Sequence, residues 1–412
     1  MRDGIAVMRR MHRYARAGLS IVVFLVGIGG LAGTPIGAEP GSAVQSEPAI
    51  QSESAILIDA DTGIALFGKN ANTRMYPASI TKMVTAILAL ETSDPDETVT
   101  VSRTAREEEG TRIYLAEGEQ KPMGDLLYGL MLNSGNDAAT AIAEHVDGSK
   151  EAFSNRMNEF VSGKLGLTGT HFTNPSGLPD EDHYTTASDM AVIAKYAMQN
   201  PTFRAIVSTK KMAWNGLEWQ SSLINHNKLI GTYEGATGIK NGYTVAAGST
   251  LVASAARGTK SLIGVVLKAP SSNAVYDDMK KLLDYGFAAF EPRELVKAGD
   301  VFAAGSGESA LEFKAVSSLS PLVRNDIQPQ LSVGEDGRLW MSSATGAQVV
   351  AQLEQVKPAE SVRISSSDAA ASEDSAPGHR RNPVSVITLV ALAVFCAIVV
   401  LRVRKKRRIK SL

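Results

Sequence analysis

Tyr76–Leu90 reads YPASITKMVTAILAL. It opens like a loop, closes like an apolar helix, and sets Ser79 and Lys82 at the join. Residues i and i+3 share a helix face, so hydroxyl and amine can touch there. A carbonyl beside Ser79 would also lie near the helix N-terminus, where unpaired N–H groups and the dipole favour negative charge. Serine is a weak nucleophile until a base takes its proton. Lysine can be that base only where burial or a second cation lowers its pKa, so the pair predicts another basic group nearby. The competing reading makes Ser79 a helix cap and Lys82 a solvated side chain, and a chain this long holds such a tetrapeptide roughly once by chance. Company must decide.

The chain has 412 residues, 44% hydrophobic and 21% charged, which suits two folded units plus extra segments. Its net charge of -1 argues against general affinity for nucleic acid, although both ends are basic. Arg9, Arg10, Arg13 and Arg16 precede the apolar run Leu19–Gly33 and the small-residue exit PIGAEP. That pattern predicts an export signal over 1–38, with an uncleaved anchor as its alternative. The run Val384–Leu401 has no polar face, and 18 helical residues reach about 27 Å, enough to cross a bilayer core. RVRKKRRIKSL follows with seven Lys or Arg residues and no acid. The expectation is therefore a single C-terminal span, a cytoplasmic tail at 402–412 and an extracytoplasmic body. The one cysteine, Cys396, sits in that run, so the exported part has neither disulfide nor thiol nucleophile. Six histidines, none in an HExxH grouping, predict no metal site. Catalysis must then rest on oxygen and nitrogen groups, with no cofactor implied.

Residues 39–52 form a polar leader. SAILIDADTGIALFGKN predicts two strands around Asp59-Ala60-Asp61-Thr62-Gly63. A helix follows from Ser79. MGDLLYGLMLNSGNDAATAIAEHV gives two more, broken at Asn133-Ser134-Gly135-Asn136, and TTASDMAVIAKYAMQ another, capped by Thr186 or Ser188. STLVASAARG and KSLIGVVLKAP read as adjacent buried strands, with a helix after them. Strands, helices, then strands and a helix predict an α+β domain over 53–290, its sheet drawn from both ends of the segment. Short strand-like pieces without helix periodicity predict a small all-β domain over 291–365, and 366–383 reads as a flexible linker.

In this setting PASITKMVTAILAL resembles the active-serine motif of the penicillin-recognising enzymes, specifically the D-alanyl-D-alanine carboxypeptidases among low-molecular-mass penicillin-binding proteins. Ser134-Gly135-Asn136 stands where that family has SxN, and Lys240-Asn241-Gly242 where it has KTG before a buried strand. The blocks HFTNPSGLPDEDHYTTASDM and INHNKLIGTYEGATG match as well, and the likeness covers about 50–290. It implies a penicillin-binding, serine β-lactamase-like catalytic domain, an antiparallel sheet with a helical cluster. It implies Ser79 as nucleophile, Lys82 as its base, and Ser134 as proton relay to the departing D-alanine. Asn136 would hold the substrate backbone, and Lys240 would lower the Lys82 pKa and draw in the substrate carboxylate. The oxyanion would sit between the N–H groups of Ser79 and Tyr243, and Gly242 would let the strand approach closely. Peptidoglycan pentapeptide is the implied substrate and β-lactams the covalent inhibitors. Read alone, Ser134-Gly135-Asn136 is a helix–helix turn, Lys240-Asn241-Gly242 a hairpin turn, and Glu107-Glu108-Glu109 a solvated face. His183 is expected to order a loop, and Trp214 and Trp219 suit either cleft or core.

The departures fall on recognition of the free C-terminus. Asn241 replaces the family's threonine, and Val275 lies before the late helix where relatives often carry arginine. His226 lies where some relatives have arginine and could partly substitute when protonated. These changes lean toward a D,D-endopeptidase or transpeptidase as the alternative. A silent wall-binding scaffold has only Asn241 in its favour. No Glu-x-x-Leu-Asn segment lies between Ser134 and Lys240, which argues against a class A β-lactamase. The second domain, with Trp340 its one tryptophan, reads as a spacer.

Overall fold

The computed structural model describes residues 46–305 and 310–356. The export signal, the first half of the leader, the linker, the C-terminal span and the basic tail fall outside the described residues, as do 357–365 of the β-rich region.

One antiparallel sheet organises the catalytic region. Its strands are β1 (Ser54–Asp59), β2 (Ala65–Lys69), β3 (Ala236–Thr244), β4 (Gly248–Arg257) and β5 (Lys260–Ala269), in the order β2-β1-β5-β4-β3. Chain segments more than 200 residues apart in sequence thus pair directly, Ile56 opposite Val265 and Ile58 opposite Ile263. Side chains alternate across a strand, so the apolar residues of β1 must serve two faces. Ile56 and Ile58 join the helical core, while Ala55 and Leu57 join the opposite one. β4 and β5 divide likewise, with Val252, Ile263 and Val265 on the helical side and Leu251, Ala253 and Leu262 on the other.

The helical side carries α1 (Lys82–Thr92), α2 (Met123–Leu132), α3 (Asn136–Asp147), α4 (Lys150–Glu159), α5 (Ala187–Ala197) and α6 (Pro201–Ser208). The opposite side is covered by α7 (Ser272–Ala289), whose Val275, Met279, Leu282 and Leu283 are buried. Sheet between helical layers is the α+β arrangement expected of alternating burial on both faces. Caps confirm the boundaries: Thr186 accepts the Asp189 N–H at α5, and Asn200 accepts those of Thr202 and Phe203 at α6.

Two expectations need correction. Val275 lies in the first turn of α7 and is 2% exposed, so a cationic side chain there would point into packed core rather than the cleft. The triple Glu107-Glu108-Glu109 is not uniformly solvated, because Glu108 accepts hydrogen bonds from Thr140 Oγ1 at 2.5 Å and Lys150 Nζ at 3.0 Å. The tryptophans separate: Trp214 is core at 3% exposure, whereas Trp219 is half-buried, edge-on to the exposed Tyr114.

Beyond Pro292 come short strands, among them Val301–Ala304, Leu311–Lys314, Arg338–Ser343 and Gly346–Gln352. They surround a small core of their own that includes Val296, Phe313, Leu339 and Leu353. This β-rich region grips the catalytic sheet by its backbone edge. Gln348 uses its side-chain amide to pair with Ala65, accepting from its N–H at 2.8 Å and donating to its carbonyl at 3.0 Å. Asp59 Oδ2 accepts the Leu322 N–H at 3.1 Å. Among the described residues no helix is long and apolar enough to cross a membrane.

Candidate active site

The nucleophile turn is tight. Ala78–Thr81 forms a 3-10 turn and α1 begins at Lys82. Ala78 holds φ at 53°, a left-handed conformation that costs a non-glycine residue about 1–3 kcal/mol and persists only where its surroundings fix it. Three contacts do so. Thr250 Oγ1 of β4 donates to the Pro77 carbonyl at 2.9 Å. Gly177 packs so closely on the Ala78 carbonyl that a Cβ there would clash. A Cβ on Gly242 of β3 would lie 2.7 Å from the Ser79 backbone nitrogen. Ser79 caps nothing and is half-exposed, and Lys82 is 0% exposed, so neither side chain has the role a solvated helix start would give it.

The Lys82 ammonium reaches three acceptors: Ser79 Oγ at 3.0 Å, Asn136 Oδ1 at 2.7 Å and the Ser176 carbonyl at 2.6 Å. A charged lysine has three protons and fills all three. Once neutral it can keep the two fixed acceptors and turn its lone pair to the serine hydroxyl, the geometry a general base needs. Burial first, and the neighbouring Lys240 charge second, push its pKa well below the usual 10.5. Lys240, in the middle of β3 and 1% exposed, is pushed to about 7 by burial alone. The two buried ammonium groups oppose each other's charge, which favours a state in which one lysine of the pair is neutral.

Each cradle acceptor is itself held. Asn136 opens α3, where its Nδ2 donates to the Glu109 carbonyl and its N–H to the Thr111 carbonyl. Its amide is thus engaged with Lys82 on one side, which makes it a partner of the base as well as the substrate contact expected. Next to it the buried Asp137 accepts the N–H groups of Ile113, Leu115 and Ala138, tying loop 109–115 to α3. Burial raises the Asp137 pKa against those bonds. Ser176 sits in a loop folded around Asn174 Oδ1, which accepts from the N–H groups of Ser176, Gly177 and Leu178. His183 orders that loop, as expected. Its Nδ1 accepts the Thr173 N–H at 3.1 Å, so Nε2 carries the proton and donates to Thr81 Oγ1 at 2.9 Å. Burial pushes His183 down to about 4 and keeps it neutral.

Ser134 lies between α2 and α3 with φ 63° and is 5% exposed. Its hydroxyl makes no hydrogen bond among the described residues, which leaves it open to a ligand. The Asn241-Gly242 pair, a strong hairpin signal by itself, is mid-strand, and the hairpin turn comes at 245–247. Asn241 is half-buried beside Lys240 Nζ, which donates to the Asn241 carbonyl at 3.0 Å. Tyr243 is 67% exposed at the rim. His226 follows the hairpin 211–224, its N–H bonded to the Leu132 carbonyl. Desolvation and the Lys240 charge push its pKa to about 4. The residue is solvent-exposed, so screening trims that depression, yet both causes have one sign. Both therefore oppose the protonated form in which His226 could partly stand in for an arginine.

Comparison with known proteins agrees with this geometry. The family model described as D-alanyl-D-alanine carboxypeptidase matches residues 42–271. The D-alanyl-D-alanine carboxypeptidase DacF of Bacillus subtilis is 37% identical over 264 residues, 63% of this chain and 68% of that protein. DacA of Escherichia coli K12 is 36% identical over 269 residues, 62% of this chain and 66% of that one. The match thus spans about two thirds of these relatives' length. Among solved structures, penicillin binding protein 5 of Haemophilus influenzae aligns at TM-score 0.64 with 27% identity, over 76% of this chain and 98% of its own. The Streptomyces K15 DD-transpeptidase aligns at TM-score 0.57 with 33% identity, over 59% of this chain and 100% of its own. The chain belongs to the D-alanyl-D-alanine carboxypeptidase family, the penicillin-binding serine peptidases of peptidoglycan.

Proposed function

We propose that Ser79 attacks the carbonyl of the penultimate D-alanine of a stem peptide, with Lys82 taking its proton. The observation that carries this is the cradle of three acceptors around Lys82, of which Ser79 Oγ has no other partner among the described residues. Lys240 receives the substrate carboxylate, and Ser134 passes a proton to the departing D-alanine nitrogen. The oxyanion lies between the N–H groups of Ser79 and Tyr243. Water then hydrolyses the acyl-serine. A β-lactam acylates the same serine and leaves slowly.

A second reading has one observation in its favour. A solved relative is described as a DD-transpeptidase, and transpeptidation uses the same acyl-enzyme with an amine in place of water. Asn241 in place of threonine, and a His226 whose protonated form is disfavoured, thin the contacts to a free C-terminus, which is the difference on which the two readings divide. The exported, membrane-tethered placement rests on the terminal apolar runs of the sequence, and the β-rich region suits a spacer holding the cleft toward the wall.

The test is D-alanine release from a peptide ending in Lys-D-Ala-D-Ala by detergent-solubilised full chain, beside Ser79→Ala. Release that vanishes in the variant is expected. A wild type that forms a penicillin adduct by mass yet releases no D-alanine, even with an added amine acceptor, would contradict both readings.

A further inference from the structure

A cavity of about 400 Å³ lies beside the active site and takes no part in the chemistry described. Part of its wall comes from two segments that flank the cleft. Thr73–Tyr76 lead directly into the nucleophile turn, and Ala246 belongs to the turn closing β3 onto β4. Lys268 comes from the sheet end. There Ser249 faces Ala269 while Leu251 faces Val266, so one extra residue of β5 bulges, and Lys268 takes φ 55°. Bulges of this kind re-aim a side chain next to a site.

The direction of the substrate brings the cavity into play. With a terminal carboxylate at Lys240 and the attacked carbonyl at Ser79, opposite Gly242, the acyl side must leave along β3 toward Thr244. Four residues separate Gly242 from Ala246, at most about 13 Å at 3.3 Å per residue. Three extended units, the third lengthened by its γ-linkage, cover roughly 10–13 Å, comparable with that span. Peptidoglycan stem peptides carry a free carboxylate on this side, on their γ-linked D-glutamate.

Arg74 is built to meet it. Its guanidinium lies over the Tyr184 ring, 4.4 Å from the centroid, and Nη2 donates to the Thr168 carbonyl at 3.2 Å. The stacked fork is held flat with its remaining N–H donors at the edge, the arrangement that suits a carboxylate. Lys268 is occupied by Glu53 at 3.1 Å, so Arg74 is the cation without an acidic partner among the described residues. Glu181, on the same wall, makes no hydrogen bond or ion pair among them either and faces any amine further along.

We infer that this cavity is an upstream subsite in which Arg74 binds the free carboxylate of the stem peptide, making substrate choice depend on more than the D-Ala-D-Ala end. The inference rests on the carboxypeptidase reading above. Its test compares kcat/KM of the full chain on three peptides: N-acetyl-Lys-D-Ala-D-Ala, the same peptide extended by γ-D-glutamate, and the extended peptide with that carboxylate amidated. The acidic peptide should be favoured about tenfold, a charge-assisted contact discounted for its exposure. Arg74→Gln should remove that preference and leave the short peptide unchanged, and Arg74→Lys should restore part of it. Equal turnover of acidic and amidated peptides, or an Arg74→Gln loss shared by all three, would overturn the subsite while the short peptide still turns over. No turnover of any peptide would overturn the carboxypeptidase reading and the subsite with it.

Discussion

The two walls of the cleft are built differently. On the helical wall every group around the base has a fixed partner: Lys82 reaches Asn136 and Ser176, Asn136 reaches Glu109, and the Ser176 loop is wound on Asn174 and held by His183. On the strand wall the reactive groups have few. Among the described residues Lys240 Nζ bonds only Asn241, and Tyr243 and Val245 stand in solvent. Catalytic groups gain from being positioned before substrate arrives. Recognition groups gain from being unsatisfied until it does, since a contact already made inside the protein adds nothing on binding.

The sharpest way to break this contrast is Lys82→Met. It should lower acylation by penicillin about 10²–10⁴-fold, the span of a general base, as read by intact mass over time. A variant that acylates at near wild-type rate would mean the cradle holds a structural lysine. Gly242→Ala tests the contact between walls, because its Cβ would lie 2.6 Å from Thr250 Oγ1 and 2.7 Å from the Ser79 nitrogen. A displacement near 1 Å at the reacting serine costs about 10²-fold. Acylation should fall by that order, with circular dichroism unchanged.

His183 reports on the helical wall alone. Its folded pKa of about 4 lies below the ordinary 6.5, so between these values the unfolded chain binds more protons. Its stabilising share is complete above pH 6.5 and is lost as pH falls toward 4. Melting temperature should decline over that window, and His183→Gln should flatten the decline. An equally steep variant would place the acid sensitivity elsewhere. The mildest change is on the strand wall. Asn241→Thr should improve kcat/KM for a free D-Ala-D-Ala end a few-fold, about 1 kcal/mol for one better-placed hydrogen bond, and leave penicillin acylation nearly unchanged. A loss instead would make Asn241 a productive contact in its own right.

The same contrast explains what the sequence disclosed. Ser79, Lys82 and Lys240 are legible because each sits in a short run whose chemistry is local. Strands β1, β4 and β5 are legible because burial on both faces leaves an uninterrupted apolar run. The support of the helical wall is not, since Asn174, Ser176 and Asp137 act through backbone groups brought together by the fold, and nothing in NPSG or GND states which carbonyl or carboxylate will face a lysine. α4 escapes notice because Phe153 and Met157 are nearly its only buried side chains, too few for periodicity to emerge. Val275 is hard to place for a related reason, since one helix start shifts it from cleft to core.

The central claim is that Lys82 gives up its proton while Lys240 keeps one. The pH profile of penicillin acylation by the full chain tests it most directly. The account predicts a rate that rises through an acid limb far below 10.5 and falls again as pH passes about 7, where Lys240 loses its charge. A rate still climbing toward pH 10 would contradict it.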